Sequence, residues 1–158
     1  MATTEAVATT EAPATTEGAT VTTFSTFGPD GPYDPARDAR ADIANAQAVA
    51  AASGKLVLLD FGANWCPDCL VLDELYRDPA VAELLRDHFV LVTVDIGEWD
   101  HNMDISDDYN HVADVGIPAL VVLTADGEIL GDTHDGQFAS ASGFVPQDVL
   151  DYLEPFVG

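Results

Sequence analysis

Phe61-Gly62-Ala63-Asn64-Trp65-Cys66-Pro67-Asp68-Cys69 joins a nearly unbroken apolar run, Lys55 to Phe61, to a segment with helical spacing, and it holds both cysteines of the 158-residue chain. An apolar run of that length reads as a strand buried on both faces and central in a sheet. A Cys-x-x-Cys at a strand-to-helix turn suits dithiol chemistry. Its first sulfur sits at the helix N-terminus, where free N–H groups and the macrodipole favour thiolate over thiol. The second lies one turn further on, close enough to close a small ring. Pro67, just inside the helix, gives up an N–H that has no intrahelical partner and presets the helical φ.

Outward from this turn, the chain alternates strand and helix signals. Upstream, Asp34-Pro35 reads as an N-cap followed by a first-turn proline, opening an alanine-rich helix that runs to Ser53 with Gly54 as its stop. Downstream, Leu70, Leu72, Leu75 and Tyr76 recur at a helical period, and Asp78-Pro79 ends that helix and starts another carrying Val81, Leu84, Leu85 and Phe89. Phe89 to Asp95 is the next buried strand, and helices between two buried strands imply a right-handed parallel crossover. Gly97 to Asp104 reads as a polar loop and Ile105 to Val115 as a short acidic helix. Ala119–Thr124 and Glu128–Gly131 flank Ala125-Asp126-Gly127, a hairpin signal. Asp132 to Phe144 has no clear period and reads as loop. From Pro146 a final helix presents Val149, Leu150, Leu153 and Phe156 as one stripe. This βαβ plus ββα order predicts an α/β domain with a central mixed sheet of four to five strands flanked by helices.

The N-terminal end differs. Ala-Thr-Thr-Glu recurs at residues 2, 8 and 14, with no large side chains to offset the entropy of ordering. Residues 1–26 are therefore expected to be a disordered tail, with Val21 to Phe27 able to add a short edge strand, and residues 27–158 to be the domain. The balance of 28 acids against five bases, none of the latter after Arg86, disfavours nucleic acid and anionic membrane as partners. No run of eighteen apolar residues is present, so no membrane span is expected. With neither a basic n-region nor an apolar h-region at the start, and two cysteines in one motif, the expectation is a cytoplasmic, monomeric protein. An extracytoplasmic location is the alternative. Four-coordinate zinc needs more ligands than the two cysteines offer, and His88, His101, His111 and His134 show no pairing near them, so no metal or other cofactor is expected.

Asp60, six residues before Cys66, Trp65 directly before it, and Gly116-Ile117-Pro118-Ala119-Leu120 some fifty residues downstream match, in order and spacing, the pattern of the thioredoxin family, which residues 34–158 resemble. The resemblance implies the thioredoxin-like fold and a protein-disulfide reductase, recharged by a separate reductase because the chain has no dinucleotide-binding glycine fingerprint. It implies Cys66 as nucleophile, Cys69 as resolving thiol and Asp60 as buried proton acceptor, the pair cycling through a Cys66–Cys69 disulfide. An ionised Asp60 inside an apolar strand is costly unless partnered; a carboxylate turned to solvent or capping a backbone group is the other reading. Pro118 matches the family's cis-proline, and Trp65, Pro67, Ile117 and Pro118 are the expected substrate-facing residues. The intervening Pro67-Asp68 departs from the usual Gly-Pro, and an acid between the sulfurs opposes thiolate formation, which favours a reducing pair. Two alternatives stand beside the reductase: an extracytoplasmic disulfide oxidase or isomerase, and a binding or chaperone module that uses the same surface without turnover.

Overall fold

The computed structural model describes residues 23–24, 31–133 and 135–157. Five strands form one mixed sheet in the order β1 (Thr23–Phe24), β3 (Phe89–Asp95), β2 (Leu56–Gly62), β4 (Ala119–Leu123), β5 (Ile129–Asp132). β1, β3 and β2 run parallel, while β4 and β5 are antiparallel to their neighbours. Leu56 to Phe61 falls in the centre as its unbroken apolar character predicts, since a strand covered on both faces has no place for a solvent-facing side chain. Alternation along the strand splits the core. Val57, Leu59 and Phe61 pack with α1 (Ala39–Ser53), and Leu58 packs with side chains of α2 (Pro67–Leu75), α3 (Pro79–His88) and α5 (Pro146–Val157). The crossover from β2 through α2 and α3 to β3 places the Cys-x-x-Cys turn at the C-terminal end of the central strand.

Several boundaries differ from the sequence reading. α1 starts at Ala39 with Asp38, whose Oδ1 accepts from the Ala41 N–H at 3.1 Å, as N-cap. Asp34 instead closes a turn, accepting from the Ala36 N–H at 3.0 Å; Asp-Pro serves a turn and a helix start equally well. Within that turn region, Arg37 forks onto the buried carboxylate of Asp42. The helix expected over 105–115 is two pieces, α4 (Met103–Asp108) and a 3₁₀ helix (Val112–Val115). They are separated because Asn110 and His111 adopt φ of 64° and 56°, left-handed values that Asn and His tolerate better than most residues. The segment 132–144, expected to be loop, includes the end of β5 and a 3₁₀ helix (Gln137–Gly143). Its buried residues Phe138 and Ala141 are three apart, the 3₁₀ period. Thr23–Phe24 pair with Leu91 and Val92 of β3, so the sheet reaches into the stretch assigned to the tail. The Ala-Thr-Thr-Glu repeats lie outside the described residues.

Candidate active site

At the turn after β2, Cys66 caps α2 through sulfur: its Sγ accepts from the Cys69 N–H at 3.3 Å, and Pro67 occupies the first helical position. Neither thiol is in a disulfide, and both are largely buried, Cys66 retaining 4% of its surface. On the opposite side of the turn the Ile117–Pro118 bond is cis. Cys66 Sγ lies 3.7 Å from the Ile117 carbonyl oxygen, to which the thiol donates. The segment before β4 is thus brought against Cys66 although fifty-one residues separate the two in sequence.

Asp60 lies in β2 beneath this turn, 1% exposed. Its strand neighbours are Thr93 and Leu120, and among the described residues no cation pairs with it. Two phenols do instead. Tyr33 Oη donates to Asp60 Oδ1 at 2.7 Å and Tyr76 Oη to Oδ2 at 2.9 Å. Burial pushes the carboxyl up from 3.8 to about 7, because taking the charge out of water outweighs the two donors that favour it; the nearby Asp73 charge pushes the same way. Cys69 is also raised, by burial first, then by its hydrogen bond to Cys66 and the charge of Asp60. A buried thiol with a high pKa beside a carboxyl that ionises near neutrality is an arrangement suited to proton transfer from sulfur to oxygen.

The exposed surface beside Cys66 differs from the expected one. Trp65, 51% exposed, donates its indole N–H to the Gly97 carbonyl at 2.7 Å and packs tilted against Trp99, 45% exposed, at a centroid distance of 6.2 Å. Pro67 is exposed as well. Ile117 and Pro118, expected on the same face, are buried, Ile117 in the core with Ala119 and Val121; what lies at Cys66 there is the Ile117 backbone. Asp68 also behaves differently from a bare charge between the sulfurs, since its Oδ1 accepts from the Ser142 N–H at 2.8 Å.

Tyr33, Tyr76 as a donor, Asn64 and Trp99 were not singled out by the sequence reading. A signal for the tyrosines existed. A buried acid without a cation needs neutral donors, and tyrosine is the apolar-bodied side chain that carries one. For Trp99 the signal was an aromatic residue in an otherwise polar loop. Among the described residues, Asp107, His111 and Asp114 form one exposed group with metal-ligand spacing, with His111 Nδ1 2.9 Å from Asp107 and 3.7 Å from Asp114; it includes neither cysteine. No described helix is long and apolar enough to cross a membrane.

The chain is similar to several proteins of known structure. A disulphide isomerase from Xylella fastidiosa Temecula1 is 35% identical, with a TM-score of 0.77 over 80% of this chain and 97% of that one. A thioredoxin from Thermus thermophilus is 25% identical, with a TM-score of 0.54 over 72% and 82%. Trichomonas vaginalis thioredoxin, 22% identical with a TM-score of 0.50 over 89% and 99%, shares the fold. No curated protein sequence matches the chain. Residues 38–125 match the sequence profile described as thioredoxin-like, a span that contains β2, the dithiol turn, both crossover helices and the cis-proline. With that profile covering more than half of its length, the chain belongs to the thioredoxin-like family.

Proposed function

We propose that this protein reduces protein disulfides through Cys66 and Cys69. Cys66, as thiolate, attacks one sulfur of the substrate disulfide; a Cys66–substrate bond forms and the other substrate sulfur leaves as thiolate. Asp60 then takes the proton from Cys69, whose sulfur attacks Cys66 and expels the second substrate thiolate. The substrate has gained two electrons, and the protein holds a Cys66–Cys69 disulfide that a separate reductase returns to the dithiol. The observation that carries this reading is the buried Asp60 carboxyl, poised near neutrality next to a thiol that burial keeps protonated. Such a thiol resolves slowly without an acceptor. Trp65, Pro67 and Trp99 form the exposed apolar patch on which a substrate segment docks. A reducing compartment fits this direction of electron flow.

The second reading is a disulfide isomerase or donor, supported by the 35% identity to the Xylella isomerase. Reduction potential separates the two. Trp65, exposed beside Cys66, gives a fluorescence signal for titration in a thiol redox buffer. A potential near −270 mV supports the reductase, and one of about −180 to −120 mV the isomerase or donor. Absence of any reversible transition overturns both.

A further inference from the structure

Residues 31–33 form a strap across the active-site end of the sheet, pinned to the site from two sides. The Tyr33 N–H donates to Asn64 Oδ1 at 2.9 Å and Asn64 Nδ2 donates back to the Tyr33 carbonyl at 2.6 Å, a two-bond clip from a residue two positions before Cys66. Thr93, in register with Asp60 on β3, donates its hydroxyl to the Pro32 carbonyl at 3.0 Å. So held, the strap lays the Tyr33 ring over Gly62, where a Cβ would stand 2.5 Å from the ring's Cζ. The absence of a side chain at 62 therefore makes room for the phenol to reach Asp60.

Two phenols on one carboxylate are more than packing requires. Phenylalanine at either position would fill the same space without burying a hydroxyl, a group that is costly to bury unless bonded. Both tyrosines are buried and both are raised well above 10, by burial first and then by the charge of Asp60. They therefore stay protonated and act as donors throughout the neutral range. Each occupies one oxygen of Asp60, fixing the plane of the carboxyl and favouring its charged form. The ionisable groups that face it are Tyr33 from the strap and Cys69, Asp73 and Tyr76 from α2 and its cap; β3 and β4 offer Thr93 and Leu120.

We propose that Tyr33 and Tyr76 are positioning residues for the resolving step, holding the Asp60 carboxylate by both oxygens so that it can receive the Cys69 proton, and that the 31–33 strap is part of the active site. This rests on the reading of Asp60 as the acceptor. In that step the Cys69 S–H bond breaks, an O–H bond forms on Asp60, and the freed sulfur attacks Cys66 of the mixed disulfide, so that the Cys66–Cys69 bond forms as the Cys66–substrate bond breaks and the substrate sulfur leaves as thiolate. Tyr33 lies outside residues 38–125 that match the family profile.

The test is a stopped-flow reaction of the reduced protein with dithiodipyridine, a neutral disulfide that releases one thiopyridone when Cys66 attacks and a second when Cys69 resolves. Wild type, Tyr33→Phe, Tyr76→Phe and Asp60→Asn are compared across pH. In wild type the second phase accelerates through about pH 7 as Asp60 ionises. Removing a donor from the anion shifts that midpoint upward by about one pH unit or more, given the usual worth of a hydrogen bond to a charged group, and leaves the first phase unchanged. Tyrosine variants that fold and keep the wild-type midpoint overturn the proposal, provided Asp60→Asn flattens the profile. An Asp60→Asn protein with a wild-type profile overturns the acceptor reading itself. If one phenylalanine variant fails to fold, the other carries the test.

Discussion

Replacing Asp60 by Asn should make the protein more stable at alkaline pH and not at acid pH, and the size of the effect follows from its burial. The carboxyl stands at about 7 in the folded chain against an ordinary 3.8, a gap worth about 4 kcal/mol at about 1.4 kcal/mol per pH unit. Because the folded-state value is raised, the folded protein binds a proton that the unfolded chain has released. This contribution to stability is complete below 3.8 and is lost as pH rises through about 7. Between about pH 5 and about pH 8 the loss amounts to about 2.5 kcal/mol. Asn carries no such proton. Its own penalty, imperfect hydrogen bonding to Tyr33 and Tyr76, costs about 1–3 kcal/mol and is the same at both pH values. The stability of Asp60→Asn relative to wild type therefore rises by about 2.5 kcal/mol across that interval, or about 10 °C in relative Tm for a domain of this size. Urea unfolding at the two pH values measures it. A relative stability that does not change with pH refutes the reasoning, because it means the two phenols hold Asp60 ionised throughout and burial does not dominate.

Further outcomes follow from the same geometry. Cys69→Ser should release one equivalent of thiopyridone at the rate of the wild-type first phase and stop, leaving a mixed disulfide on Cys66, one of the chain's two cysteines, visible by mass spectrometry, while Cys66→Ser should react far more slowly; a fast equivalent from Cys66→Ser and a slow one from Cys69→Ser would reverse the roles of the two thiols. Gly62→Ala puts a Cβ within 2.5 to 2.8 Å of three Tyr33 ring and hydroxyl atoms. Since the ring is buried and cannot swing into solvent, it should cost about 1–3 kcal/mol and displace the Tyr33 hydroxyl from Asp60. An unchanged midpoint of urea denaturation would show that the strap yields without loss.

Recognition of the fold needed little beyond local pattern. β2 and β3 were legible because strands covered on both faces admit only apolar residues, and α3 because Asp78-Pro79 supplies both a cap, whose Oδ2 accepts from the Ala80 and Val81 N–H groups, and a first-turn proline. Asp60 stood out for the opposite reason, as a charge where the pattern permits none. What misled was equally local. Two Asp residues four positions apart were both competent to cap α1, and the choice of Asp38 accompanies the pinning of residues 31–33 to Asn64 and Thr93. The break at Asn110-His111 lies in two backbone angles that helical periodicity does not report.

By itself, then, the sequence determined the order of elements, the dithiol turn and the presence of an acid in the core, since each is a matter of neighbours along the chain, where spacing and residue type act over a few positions. Tertiary structure alone decided what that acid meets. Tyr33, Tyr76 and Asp60 are brought together from a strap, a helix end and a strand, with separations of 27 and 16 residues along the chain. No period links them. The bond exists because a buried carboxylate must find donors, and only the folded sheet, with Gly62 left open for the ring, determines which ones are within reach.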